Sequence, residues 1–297
     1  MDTIYGELAA LATAVFWTVT AMSFEVAGKK IGSLPVNMIR LWGGFIFLGL
    51  FNWFRRGMFI SLDASPETWF WLSMSGLIGF SFGDLFLFKA FVTIGSRISM
   101  LIMASVPPIT ALLGWIFLGE TLAANHFIGM ILTISGISMV VMTRETGSRN
   151  MRFSYPLKGI LMAFGGALGQ AIGLILSKYG MGDYDAFAAT HIRILAGIIG
   201  FGLLFIPIHA WGRTLRSFKD RSGIGFSMLG AFFGPFLGVS FSLLAIQNTE
   251  TGIASTIMAI VPVLIIAPAV VIFKEKVNLK EILGAVIAVI GTTFMFL

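Results

Sequence analysis

Cysteine is absent from the 297 residues, so neither disulfides nor thiolate metal sites are available, and the redox compartment stays undetermined. Charge is scarce too: Asp, Glu, Lys and Arg make up 11% of the chain against 57% hydrophobic residues, and mean hydropathy is +0.93. A soluble domain carries about a quarter charged residues, so the solvent for this chain is lipid. Histidine is limited to His126, His191 and His209, scattered among apolar runs. With no HExxH pair, no GxSxG elbow and no GxxxxGKS/T loop, the sequence offers no pattern for a metallohydrolase, a serine hydrolase or an ATP-driven pump. No metal, no cofactor and no enzymatic activity are expected.

The basic balance, +6 with a pI near 9.8, does not signal nucleic acid. Lys and Arg fall in short clusters between apolar runs, which is the distribution of membrane loops and not of one basic stripe. The N-terminal run MDTIYGELAALATAVFWTVTAM lacks a basic n-region and is too long for a signal h-region, so it reads as a first span.

What the chain does contain is itself, twice. The stretch Ala90 to Gly136 returns at a constant offset of 155 as Ala245 to Gly291, and Ile98, Ile102, Met103, Ala104, Val106 and Pro107 recur as Ile253, Ile257, Met258, Ala259, Val261 and Pro262. Gly79 and Gly83 recur as Gly234 and Gly238, and at an offset of 153 Gly6 matches Gly159, Arg40 matches Arg193 and Gly44 matches Gly197. This is a duplicated unit. The repeats are placed at 1–142 and 157–297, joined by a basic loop at 143–156.

A membrane span needs about 20 predominantly apolar residues, because every backbone polar group must be satisfied within the segment. Ten segments qualify: 4–27, 35–54, 67–91, 97–118, 122–142, 157–180, 186–210, 223–246, 252–273 and 277–296. Five spans per repeat is an odd number, so the second copy enters the membrane from the opposite side. The expected fold is an all-α membrane protein of ten transmembrane helices, arranged as a 5+5 inverted-topology repeat about an axis in the membrane plane. Turns such as GSR (Gly95–Arg97) and NTETG (Asn248–Gly252) make consecutive helices antiparallel neighbours.

The run from Ala90 through Pro107, Leu112, Leu113 and Gly114 to LGETL (Leu118–Leu122), then Gly129 to Gly136, has its counterpart around Pro262, KEKV (Lys274–Val277), Gly284 and Gly291. On these residues, over nearly the whole chain, the sequence resembles the EamA type of the drug/metabolite transporter superfamily, in which Arg40 and Arg193 fall where the family tends to carry an arginine early in the second span of each repeat. The resemblance implies a ten-helix carrier with a central cavity that moves small metabolites, often amino acids or related exported compounds. It also implies cytoplasmic termini.

The residues themselves suggest where such a cavity lies. Pro107 and Pro262 sit about ten residues into their spans at equivalent positions, where each removes an amide donor. Met103 and Met258, four residues earlier, share the proline face. Trp17 and Gln170 align with one another near mid-span, offering a flat apolar wall and an amide; Ser81 and Ser240 could add hydroxyls, and Ser242 with them. Glycines at helical spacing, Gly79/Gly83 and Gly230/Gly234/Gly238, permit close helix contact, while Gly129/Gly136 and Gly284/Gly291 read as scaffold packing. Among charges within spans, Glu25, Arg40, Lys89, Lys178, His191 and Arg193 lie within about two turns of an end, where long side chains snorkel. Arg40 and Arg193 are therefore read as structural anchors. Asp84 is deeper and short, and its repeat partner is Val239. Two accounts of it stay open: a carboxylate that takes up a proton during transport, with H+ as coupling ion, or a permanent ion pair with Arg40 or Arg193.

The function expected is secondary active transport of small organic metabolites by alternating access, as an exporter or importer, from a multi-pass protein of a prokaryotic inner or plasma membrane. The partners are a small-molecule substrate and the lipid bilayer, with the protein a monomer or weak dimer. A passive channel or facilitator is the alternative, and an intramembrane enzyme a remote one. On orientation, charge and resemblance disagree. Arg55, Arg56 and Lys178 lie on the face at which the chain starts and fourteen Lys or Arg on the other, which favours termini outside. Because the chain has no native thiol, Asp2→Cys in intact cells decides the matter: by the charge count it reacts with an impermeant maleimide while Arg216→Cys does not, and the reverse pattern puts the termini in the cytoplasm.

Overall fold

The computed structural model describes residues 2–118, 122–144, 151–249, 254 and 257–295. Gly119, Glu120 and Thr121 of LGETL, Arg149, Glu250 to Gly252 of the NTETG turn, and Ile253 lie outside the described residues. Helices dominate: α1 (Asp2–Ile31), α2 (Ser33–Arg56), α3 (Pro66–Gly76), α4 (Asp84–Met103), α5 (Val106–Leu118) and α6 (Ala124–Val141) in the first half. In the second are α7 (Leu157–Met181), α8 (Ala186–Phe205), α9 (Trp211–Ser217), α10 (Arg221–Ala231), α11 (Val239–Asn248), α12 (Val261–Leu264), α13 (Ile266–Phe273) and α14 (Leu279–Met295). The connector is not wholly irregular, because Met142–Arg144 and Met151–Phe153 pair as a small antiparallel hairpin.

Local chemistry sets the boundaries. Gly32 (φ 88°) and Gly57 (φ 73°) take the left-handed conformations that turn the chain at the two ends of α2. Ser65 caps α3 by accepting the Thr68 amide at 3.1 Å, with Pro66 at the first helical position. Asp185 and Asp220 cap α8 and α10 in the same way, each accepting an amide at 2.9 Å.

By length and apolarity, seven helices among the described residues are long enough to cross a membrane, with Val261–Phe273 as a shorter eighth. Part of the difference from ten comes from where helices break, and the tenth expected span, α14, is unbroken but 17 residues long. Pro66–Met103 runs as one 38-residue unit although Gly95 (φ 82°, ψ 161°) interrupts it between the third and fourth expected spans. The fourth and ninth are split again, at Ala104–Ser105 and at Ala259–Ile260.

These irregularities repeat with the sequence. A π-helical turn covers Leu77–Gly83 in one half and Phe232–Gly238 in the other, so that the Asp84 amide reaches back to the Gly79 carbonyl and the Val239 amide to that of Gly234. The breaks at 104–105 and 259–260 also keep the 155-residue offset. Pro107 and Pro262 sit in the first turn of the helix that restarts after each break. Neither proline kinks a continuous helix, since its missing N–H would have been an orphan there anyway.

Helix pairing shows how the halves are related. The equivalent helices α6 and α14 cross with numbers rising on one and falling on the other: Gly129 lies on the Gly291 carbonyl and Gly136 on that of Gly284, and the contacts are reciprocal. Thr133 Oγ1 donates to the Ala288 carbonyl at 3.3 Å in the same seam. Equivalent helices that pack antiparallel through the same residues require a two-fold axis perpendicular to them, which in a membrane protein lies in the membrane plane. The cross-half packing of α1 on α10 and α11, mirrored by α7 on α3 and α4, follows the same symmetry.

A Cβ at Gly136 would stand 2.5 Å from both the Ala288 nitrogen and the Gly284 oxygen, and backbone cannot yield as a side chain does. Gly136→Val is expected to destabilise the bundle by about 1–3 kcal/mol through overpacking. The check is the midpoint of thermal unfolding in detergent; an unshifted midpoint would show that the seam is loose.

Candidate functional site

Between the halves lies a cavity of about 150 Å³ whose wall takes residues from both repeats. Trp17, Asp84, Met103, Pro107, Gln170, Met258 and Pro262 all line it, and so do Arg40 and Arg193. Ser81 and Ser240 do not. Ser81 donates to the Gly197 carbonyl at 3.2 Å, between helices, and Ser240 is buried with its hydroxyl unpartnered. Ser242, one turn face away, is on the wall, donating to the Val239 carbonyl at 2.8 Å.

The two arginines depart from the anchoring expectation. Each begins seven residues into its helix, and each is only 3% exposed; neither snorkels to an interface. Arg40 pairs with Asp84 through Nη2 and Oδ2. Its Nε donates to Asn37 Oδ1 at 3.0 Å, and the Asn37 amide in turn donates to the Asp84 carbonyl at 3.3 Å. The guanidinium lies 4.6 Å from the Phe88 ring centroid, a cation–π distance. Arg40 is thus held by a carboxylate, an amide oxygen and an aromatic face, and of the two accounts of Asp84 the geometry gives the ion pair with Arg40. Arg193 differs. It lies 4.8 Å from the Phe80 ring centroid, its Nε has no hydrogen-bond partner, and no carboxylate among the described residues forms a salt bridge with it.

The rest of the wall is mostly aromatic and thioether surface, with Phe24, Phe80, Phe88 and Phe91 joining Met100, Met103 and Met258. Two further polar groups face it without partners among the described residues: the Thr20 hydroxyl and the Gln170 amide. Trp17 packs over Gly238, where a Cβ would lie 2.9 Å from the indole ring. Sequence reading missed Phe80, Phe88 and Thr20. Phe80 and Asp84 are held by the π-helical turn, which hydropathy does not reveal.

Other intramembrane charges have structural work. Glu25 is fully buried, accepts the Ser96 amide at 2.5 Å and pairs with Lys29, so it caps the helix that restarts after Gly95. His191 is buried against Phe45, ring centroids 4.6 Å apart, away from the cavity wall. Among the described residues no cluster of three or more metal-ligating side chains occurs.

A cavity between inverted repeats, walled by broken helices, is the arrangement of membrane carriers. The EamA-like transporter family model matches residues 4–142 and again 157–297. The chain belongs to the EamA-like transporter family. Relatives of the chain include the uncharacterized transporter YdfC of Bacillus subtilis (strain 168), 21% identical over 75% of this chain and 69% of that protein. An uncharacterized transporter of Clostridium kluyveri is 21% identical over 97% of this chain and 91% of its own length. A solved crystal structure superposes with a TM-score of 0.65 at 17% identity, covering 97% of this chain and 95% of the other, a likeness of fold alone. The protein is therefore a multi-pass membrane transporter of this family, built from two copies of its characteristic unit.

The buried pair gives a double-mutant test. Asp84→Asn leaves Arg40 unpaired in a low-dielectric wall and is expected to cost about 3–5 kcal/mol, seen as lost folded yield in size-exclusion chromatography. Arg40→Met with Asp84→Val, the residue the second half carries, should recover most of that yield. A well-folded Asp84→Asn single variant would refute the pair's structural role.

Proposed function

We propose that this transporter is a secondary active carrier of small organic metabolites, working by alternating access around the central cavity. The observation that carries the reading is the position of the cavity, at the junction of two inverted halves and bounded by equivalent helix breaks at 104–105 and 259–260. Broken helices give each half a place to bend without unpaired amides in lipid, and a swap of conformations between the halves exposes the cavity to one side and then the other. In this reading Trp17, Met103, Pro107, Gln170, Met258 and Pro262 form the substrate wall, and export of small metabolites is the direction the family suggests.

The Asp84–Arg40 pair bears on coupling. A proton taken up at Asp84 would have to displace a guanidinium, so a proton gradient driving transport through this residue is the less favoured mechanism. Coupling by exchange, or by another ion, is compatible with the site.

Proteoliposome uptake of candidate metabolites tests the reading. Counterflow into loaded vesicles is expected for the wild type, and Trp17→Ala and Gln170→Ala should each weaken apparent affinity about tenfold without lowering the yield of folded protein, from the loss of aromatic area or of one hydrogen bond to a polar ligand. Normal transport by both variants would put the substrate elsewhere. Flux that never shows counterflow would indicate a channel.

A further inference from the structure

The two halves present the same arginine in two different electrostatic settings. Arg40 has Asn37 three residues before it and Asp84 across from it, and both are bonded to it. Arg193 occupies the equivalent place in the second half, but the counterpart of Asn37 is Thr190, whose hydroxyl donates to its own helix at the Ala186 carbonyl (2.8 Å), and the counterpart of Asp84 is Val239. Val239 is on the cavity wall, as Asp84 is. The second half therefore keeps the cation of the cradle and omits its anion.

A guanidinium does not deprotonate in a protein, and the one carboxylate near Arg193, Asp84, acts on it only through space because it is bonded to Arg40; a buried charge without a directly bonded anion is costly. The face of Phe80 offsets part of that cost, yet Nε is left without an acceptor at 3% residue exposure. The wall as a whole carries two arginines and one carboxylate. Since Arg40 and Asp84 neutralise one another, the cavity holds one net positive charge and no free carboxylate. We propose that Arg193 anchors the anionic head group of the substrate, and that the cavity takes a small organic carboxylate with an apolar body and no ammonium group. The substrate carboxylate stands in for the one Val239 does not supply. Gln170 and Thr20 are the unpartnered polar groups available to its remaining lone pairs or substituents, while Phe80 and the methionines face the body. A benzene ring fits an apolar cavity of about this volume, which sets the scale. An amino acid would leave its ammonium without an anion, because the one carboxylate on the wall is engaged.

The inference rests on the cavity being the substrate site, and the test separates the two claims. The probes are phenylacetate, its uncharged isostere phenylacetamide, and phenylglycine, which adds an ammonium to the acid. Binding to the purified full-length protein is read by thermal shift and by calorimetry. Phenylacetate is expected to bind at least about tenfold more tightly than phenylacetamide, as charge-assisted hydrogen bonds require, and more tightly than phenylglycine. Arg193→Met should erase the preference for the acid while keeping phenylacetamide binding, and Arg193→Lys should retain part of it. Val239→Asp is the decisive variant: it supplies the missing anion inside the protein, so it should abolish phenylacetate binding, keep phenylacetamide binding and leave thermal stability equal or higher, which also covers the case in which Arg193→Met fails to fold. Equal affinity for acid and amide, tighter binding of phenylglycine, no binding of any probe, or undiminished phenylacetate binding by Val239→Asp would each overturn the proposal. If the preference is absent but Trp17→Ala still weakens all three probes, the anion anchor falls and the cavity reading stands; if neither Trp17→Ala nor Arg193→Met changes any affinity, both fall.

Discussion

Hydrocarbon offers no partner to a free amide or carbonyl, and that constraint governs where this chain can be anything other than a straight helix. Its departures are few, and each is compensated from nearby. At Gly95 the chain reverses, and the buried Glu25 carboxylate takes the Ser96 amide while the Ser99 hydroxyl returns to the Gly95 carbonyl at 2.7 Å. At Ala104–Ser105 the amides fall back on carbonyls three residues earlier, and the Ser105 hydroxyl donates to Ile102 at 2.7 Å. Pro107 and Pro262 then enter where no donor is needed. Because these repairs are local, the middle of the bundle tolerates a void that continuous helices would have closed.

Duplication gives the two halves one skeleton, and divergence gives the cavity its sidedness. In the first-half seam, Gly79 and Gly83 meet Gly173 and Gly169 of α7, so two backbones approach with nothing between them. In the equivalent seam, Gly234 and Gly238 receive Thr20 and Trp17 of α1. The same notch is closed by backbone on one side and filled by side chains on the other. Close glycine contact is strong in lipid because dispersion, rather than hydrophobic burial, drives helix association there. The result is a wall with an indole and a hydroxyl facing an amide, and with an ion pair facing a lone guanidinium.

Much of the fold was legible in the sequence because membrane chemistry is unforgiving: the helical architecture, the inverted repeat and the glycine spacing of α6 and α14 follow from backbone satisfaction and close packing, whereas the span boundaries did not, because the helices break at Gly95, 104–105 and 259–260. Cavity residues near a proline or at mid-span, such as Met103, Met258, Trp17 and Gln170, were legible for the same reason. Arg40 and Arg193 were misjudged as interfacial anchors, since distance from a span end says nothing about whether a free route to the interface exists; dense packing and an aromatic face hold both inward. Of the three serines named from the sequence, Ser242 is on the wall, and Ser81 and Ser240 are off it for a geometric reason. A π-helical turn inserts a residue relative to the α-helical phase, rotating everything beyond it by about 100°, so Ser240 points away from the wall and Ser242 reaches it. Periodicity read across Phe232–Gly238 could not have found that shift.

Ties between the halves exist on both faces, and they are not equal. On the face where α1 ends, Arg97 bridges Glu275 (2.6 Å) and Glu281 (3.0 Å) of the other half at 10% side-chain exposure, and Tyr155 donates to Glu281 at 2.8 Å. Burial and the Glu281 carboxylate push that phenol up to about 12, so it remains a donor throughout the physiological range. On the face where α1 begins, Arg55 pairs with Asp185 and Tyr184 donates to Asp63 at 2.8 Å, Asp63 being paired with Arg56 of its own half. Arg55 is 43% exposed. Water screens such a pair to about 0–1 kcal/mol, whereas a guanidinium shared by two carboxylates and largely removed from water loses far more when its partners leave. Any opening that separates the halves therefore meets less resistance on the face where α1 begins, and the two faces of a duplicated protein are made unequal by which residues diverged after the duplication.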